Sequence, residues 1–190
     1  MALMTQTVQL RQGPLPQEMR TLLHDYPRDA WPDHPHFARS IQNWLGAHQM
    51  FRDLGNHIEM QTQRILDKDI DEDRYLNTLN RYGTALIQNL HGHHSWEDQS
   101  YFPELSRADP RFDRGLDVLE SDHDMLDKVL HDFTRKLVRA IHVTQDADAL
   151  TSDCATILGH ADVINRFLSR HLADEEDLVV PILLHHKMRG

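Results

Sequence analysis

The stretch "FDRGLDVLESDHDMLDKVLHDFTRKLVRAI", Phe112 to Ile141, decides how the chain folds. Steps of three and four from Phe112 reach Leu116, Leu119, Leu126, Leu130, Phe133, Leu137 and Ile141. That is the period of an α-helix with one apolar face. One step on the stripe, His123, is polar. Working outward, the same period recurs over about 37–66 (Phe37, Ile41, Trp44, Phe51, Ile58, Ile65), 72–102 (Leu76, Leu79, Leu86, Leu90) and 147–186 (Ile157, Ala161, Ile164, Leu168, Leu178, Ile182). Three breaks separate the four segments: "DKDIDED" at 67–73, "SRADPR" at 106–111 and "TQDADA" at 144–149. There is little β signal. The pattern predicts an all-α, up-down-up-down four-helix bundle over residues 37–190. Residues 1–36 hold five of the eight prolines. They read as an irregular N-terminal arm with one short helix around "PQEMRTLLHDY".

Every stripe carries polar residues where apolar ones are due. They are His48 in the first helix, His93 and Glu97 in the second, His123 in the third, and His171 and Glu175 in the fourth. A spacing of four puts His93 above Glu97 and His171 above Glu175 on one face. Residues equidistant from a hairpin turn lie level in an antiparallel pair. The positions midway between His48 and His93, His93 and His123, and His123 and His171 fall inside the three breaks. All six groups therefore belong to one layer.

Buried carboxylates are costly unless paired or metal-bound. No cationic side chain stands at these positions to neutralise Glu97 and Glu175. Imidazole with carboxylate suits iron, manganese or zinc. Two carboxylates can bridge two ions, each also held by two histidines. Stripping such ions is expected to leave one glutamate protonated, with a raised pKa.

These residues resemble the hemerythrin-like (HHE cation-binding) proteins over about residues 40–186. "HHSWEDQSYFP" (93–103) and "HLADEEDLVVP" (171–181) look like that family's two H-x-x-x-E motifs. "GAHQMFRDL" (46–54) and "SDHDMLDKVL" (121–130) look like its single-histidine motifs. The resemblance implies a di-iron centre with His48, His93, Glu97, His123, His171 and Glu175 as ligands. Classical oxygen-carrying hemerythrins have a second third-helix histidine, one turn on, where this chain has Asp127. Their fourth-helix acid lies five after the histidine, which here is Glu176. Glu175 is preferred because it repeats the 93/97 spacing and lies on the stripe. The set is closer to the di-iron proteins implicated in repair of iron centres and nitric oxide stress. The first 36 residues contain no cysteine, so that type's N-terminal cysteine-bearing domain is not expected. With Asp127 unligated, both metals are expected to keep open positions.

Other residues read more plainly. His94 and Asp98 repeat the i, i+4 pair one position round the helix, and belong behind the ligands or at the surface. Tyr101 reads as core. His160 lies roughly 16 Å along the helix from His171, too far for the same centre. His57, His91, His131, His142, His185 and His186 read as solvated or capping, and Cys154 as an inert core residue.

Twenty Lys and Arg against thirty Asp and Glu give a formal charge of −10, which disfavours nucleic acid and anionic membranes as partners. No apolar run approaches the roughly 18 residues that span a bilayer. No signal peptide is read at the N-terminus, and one cysteine excludes an internal disulfide, so a cytoplasmic protein is expected. The expected function is sensing, binding or reacting with dioxygen, nitric oxide or peroxide. An oxidase, peroxidase or nitric oxide reductase using the same centre is a second reading. A structural or storage metal site is a third. No electron donor is legible. A monomer or homodimer is expected.

Overall fold

The computed structural model describes residues 11, 13–142 and 146–189. The chain is helical, with no strand among the described residues. Helix α1 covers Arg39–Leu66. The second predicted helix is one rod in three parts: α2 (Glu72–Thr78), α3 (Thr84–Trp96) and α4 (Phe102–Ala108). They are joined by wider π-helical turns at Leu79–Gly83 and Glu97–Tyr101. Helix α5 covers Asp113–His142 and α6 covers Ala147–His185.

The breaks act as predicted where they are described. Helix α1 stops as Lys68 turns left-handed (φ 60°), and the Lys68 and Asp69 amides return to the Ile65 and Arg64 carbonyls. The Asp71 carboxylate then caps α2 through the Arg74 amide. Asp109 caps the turn at Pro110–Phe112, and Asp146 caps α6 through the Ala149 amide. Thr144 and Gln145 of the last break lie outside the described residues, as do residues 1–10 and 12 of the expected arm.

Pro103 accounts for the second π-turn. It has no amide hydrogen for the Gln99 carbonyl, and its ring crowds that carbonyl. Widening the turn by one residue relieves both. Glu97 opens this turn.

Helix α6 packs on α1 and α5, while α3 packs on α1 and α5. Two apolar clusters fill the interior. One gathers Phe51, Ile58, Leu86, Leu90, Leu126, Phe133, Ile164 and Leu168. The other gathers Ile41, Trp44, Tyr101, Phe102, Leu119, Leu178 and Ile182. Along each helix the predicted polar residues fall between members of the two clusters. His48 lies between Trp44 and Phe51, and His123 between Leu119 and Leu126. The core is thus cut by one polar layer.

The segment before α1 is built of short 3-10 turns at Gln17–Met19, Thr21–His24 and Arg28–Ala30. Leu15, Leu22 and Trp31 sink into the second cluster. No helix among the described residues is long and apolar enough to cross a membrane.

Candidate metal centre

The layer holds two pairs of facing imidazoles. The Nε2 atoms of His48 (α1) and His93 (α3) are 3.1 Å apart. Those of His123 (α5) and His171 (α6) are also 3.1 Å apart. Glu97 and Glu175 stand between the pairs. Glu97 Oε1 lies 3.0 Å from His93 Nε2, and its Oε2 lies 3.9 Å from His123 Nε2. Glu175 Oε2 lies 3.5 Å from His48 Nε2 and 3.7 Å from His171 Nε2. Its Oε1 lies 3.6 Å from His123 Nε2. Each carboxylate therefore faces both histidine pairs.

Five of these six side chains are fully or almost fully buried, and that of His93 is 10% exposed. Glu97 Oε2 and both Glu175 oxygens have no hydrogen-bond partner. Leaving such buried acceptors unsatisfied costs about 1–3 kcal/mol each, more when charged. The donor set also fits a cation in size. Two nitrogens each about 2.1 Å from one ion, at right angles, lie about 3 Å apart, close to both observed separations. His48, His93, Glu97 and Glu175 form one group of ligand atoms within 4.8 Å of one another.

Behind the layer, carboxylates fix the rings. His48 Nδ1 is 3.1 Å from Glu176, His123 Nδ1 is 2.7 Å from Asp98, and His171 Nδ1 is 3.4 Å from Asp122. A carboxylate on Nδ1 keeps the proton there and turns Nε2 toward the layer. Arginines hold two of these carboxylates. Arg28 and Arg52 bind Glu176 at 2.7 and 2.9 Å, and Arg11 and Arg170 bind Asp122 at 2.6 and 2.9 Å. Trp44 donates its indole N–H to Glu97 Oε1 at 2.7 Å and packs at a tilt against the His48 ring.

The charges settle opposite to expectation. Burial opposes ionisation of Glu175, but the imidazoles of His171, His123 and His48 hold its carboxyl below the usual range. Burial likewise opposes charging His123, but Asp98 and Glu175 raise its pKa to about 10. His93 is raised in the same way: Glu97 outweighs burial. Without metal, Glu175 therefore stays ionised and His123 carries a proton.

Four residues take places that stripe reasoning did not give them or left open. His94 is not at the surface. It is 3% exposed, its ring is stacked on His123 at 3.9 Å between centroids, and neither ring nitrogen has a hydrogen-bond partner. Burial, and then the neighbouring imidazoles, push its pKa well below the usual value. His94, His123 and His171 form a second group with ligand atoms within 4.8 Å. Glu176, the alternative to Glu175, is occupied by His48 Nδ1 and two arginines. Asp98 stands behind His123, and Asp122, not anticipated at all, stands behind His171. Its only sequence signal is its place next to His123.

Asp127 is exposed and lies 4.0 Å from His91 Nδ1, away from the layer. Tyr101 is buried and stacked on Trp96, and His160 bonds the Thr156 carbonyl. His91, His131, His142, His185 and His186 are exposed, and His57 is half-buried.

No curated protein and no solved structure matches the chain. The family model of the hemerythrin HHE cation-binding domain matches residues 39–187, which takes in both histidine pairs and both glutamates. With most of its length matched and a His/Glu cluster fit for cations at its centre, the chain belongs to the hemerythrin HHE cation-binding domain family.

Proposed function

We propose that the chain holds two iron ions, one at His48 and His93 and one at His123 and His171, with Glu97 and Glu175 bridging them. The pair then senses, binds or reacts with a small oxidant: dioxygen, nitric oxide or peroxide. One observation carries the reading: two imidazole pairs at equal 3.1 Å spacing face the same two carboxylates, three of whose four oxygens lack a hydrogen-bond partner. Manganese or zinc would suit the same donors. Peroxide or nitric oxide reduction and repair of iron centres are alternative activities of the same site. Bound iron supplies Lewis acidity and redox equivalents.

The chain supplies the rest. Asp98, Asp122 and Glu176 keep the proton on Nδ1 and present Nε2. Glu97 and Glu175 balance the cationic charge. Phe51, Phe102 and Phe167 pack against the outer faces of His93, His123 and His171 and exclude water. In this reading residues 37–190 form the bundle, its helices running alternately up and down, and residues 1–36 are an N-terminal arm, whose described part packs on the bundle. The protein works in the cytoplasm, as a monomer or homodimer, with an electron donor not legible in the chain.

The test is metal content with the optical spectrum, recorded as isolated and after each oxidant. Two irons per chain and a visible band that responds to at least one oxidant support the reading. Stoichiometric zinc as isolated, with no optical response after exchange for iron, would overturn it in favour of a structural site.

A further inference from the structure

We infer that the segment before α1 is a working part of the metal centre: Arg28 and Arg11 are positioning residues that hold one histidine of each pair, so that docking of the segment and binding of metal are coupled. The inference rests on the two-ion reading above and concerns how its ligands are held.

Helix α6 carries four consecutive acids, Asp174 to Asp177, and all four are buried, as is Asp122 on α5. Glu175 faces the layer; the others need cations, because a buried carboxylate is stable only when paired. The bundle brings Arg52 to Glu176 and Arg170 to Asp122. The segment before α1 brings three more. Arg28 binds Glu176 and Asp177, Arg20 binds Asp177, and Arg11 binds Asp122 and Asp174.

Two of the carboxylates held in this way stand behind the histidines. Glu176 Oε1 meets His48 Nδ1 and Arg52, and its Oε2 takes Arg28 Nη1 at 2.7 Å. The Arg28 guanidinium is fixed on all three nitrogens. Its Nε reaches Asp177 at 2.6 Å and its Nη2 the Ala173 carbonyl at 2.8 Å, and it lies over the ring of Trp31, which is sunk in the second apolar cluster. On the other pair, Asp122 Oδ2 meets Arg11, Arg170 and His171 Nδ1. Arg11 and the Leu15 amide also bond Asp174. His48 and His171 belong to different imidazole pairs, so the segment supports both metal positions.

Without Arg28, Glu176 Oε2 loses its donor on a side chain that is 7% exposed. The carboxylate then gains by turning to water together with Arg52, and the His48 ring loses what fixes it. By linkage, a docked segment that raises metal affinity must itself be held more firmly once metal is bound. Charge alone predicts the reverse: removing a cation near a cation site should strengthen metal binding. The sign of the change therefore separates positioning from simple electrostatics.

The experiment uses the full chain with zinc, well below the unfolding temperature. Metal content is read first. Fewer than two zinc ions per chain in the wild type would overturn the two-ion reading, and this inference with it. With two ions bound, competition with a chelator gives affinities. Arg28→Gln and Arg11→Gln are each expected to lower zinc affinity by about 10-fold, the lower end for a residue supporting a ligand. Arg20→Gln breaks an ion pair of the same segment, but among the described residues its partner Asp177 stands behind no histidine. It should leave the affinity unchanged. Unchanged or raised affinity in Arg28→Gln, or an equal loss in Arg20→Gln, would overturn the inference and leave the two-ion reading standing.

Hydrogen exchange on the wild type supplies the reciprocal reading. The Tyr26 and Trp31 amides bond within the segment. Zinc should slow their exchange by a factor similar to the affinity lost in the variants. Equal exchange with and without zinc would overturn the coupling. If Arg28→Gln does not fold, Arg28→Lys takes its place: it keeps the charge, loses the fork and should still bind zinc more weakly than the wild type.

Discussion

At the residue scale, the layer separates groups that face a cation from groups that hold those groups in place. Glu97 and Asp98 are sequence neighbours on opposite sides of this division. Glu97 lies between the imidazole pairs; Asp98 stands behind His123. Glu97→Ala should therefore empty the site or leave a single weakly held ion. Asp98→Asn keeps a hydrogen-bonding group near Nδ1 but removes the charge, and should weaken metal binding roughly 10- to 100-fold. Titration of the metal-free proteins with zinc against a chelating indicator measures both. Equal losses in the two variants would mean that the division is wrong.

The His-x-x-x-Glu spacing was legible because a four-residue step is one helical turn. His94 was not, for a physical reason. A stripe assigns one inward residue per turn, whereas a layer wide enough for two imidazole pairs admits two neighbours from the same helix.

At the element scale, four helices and two of their breaks could be read to within a few residues, because amphipathic periodicity and Asp caps are local signals. The π-turns could not, and each shifts the helix phase by one residue. Leu76 was expected inward; the structure buries Tyr75 instead, its hydroxyl 3.1 Å from Thr62 Oγ1, and leaves Leu76 half-buried. The π-turn at Leu79–Gly83 follows Tyr75 and opens on Leu79, from which the stripe was read correctly through Leu86 and Leu90. It is placed where α5 comes close, since a Cβ on Gly83 would collide with Leu137.

The end of α1 yields a separate prediction. Lys68 adopts φ 60°, a left-handed conformation that costs a non-glycine residue about 1–2 kcal/mol. Lys68→Gly should recover part of that, about 0.5–1 kcal/mol, which is about 1–4 °C in thermal midpoint for a domain of this size. Metal content should not change, because the turn lies at the end of the helix away from His48. A lower midpoint would show that the Lys68 side chain contributes more than its backbone costs.

At the scale of the whole molecule, the N-terminal segment is fastened to the same layer. Arg11 reaches Asp122 and Asp174, Arg20 reaches Asp177, and Arg28 reaches Glu176 and Asp177. Such pairing spans well over a hundred residues of sequence and has no local signature, so the segment read only as a proline-rich arm.

The charge arrangement makes the metal-free fold lose stability as pH rises and makes the stabilisation by metal grow with it. In the metal-free fold His123 is raised from 6.5 to about 10, so its stabilisation is complete below 6.5 and is lost as pH rises through 10. Burial opposes the charge on Glu176, but His48, Arg28 and Arg52 lower its pKa from 4.5 to about 2. Its stabilisation is complete above 4.5 and is lost as pH falls through 2. The metal-free midpoint should therefore be highest between 4.5 and 6.5 and decline toward pH 9. Metal needs His123 Nε2 unprotonated, so binding must displace a proton from that imidazolium, and affinity should grow with pH up to about 10. Binding to the folded chain alone raises the midpoint by mass action. Thermal unfolding from pH 5 to 9, with excess zinc or with chelator, checks this. The gap between the two midpoints should be small at pH 5 and widen steadily toward pH 9. A gap that stays constant from pH 6 to 9 would mean that His123 carries no proton to displace, and that the metal-free layer balances its glutamates in another way.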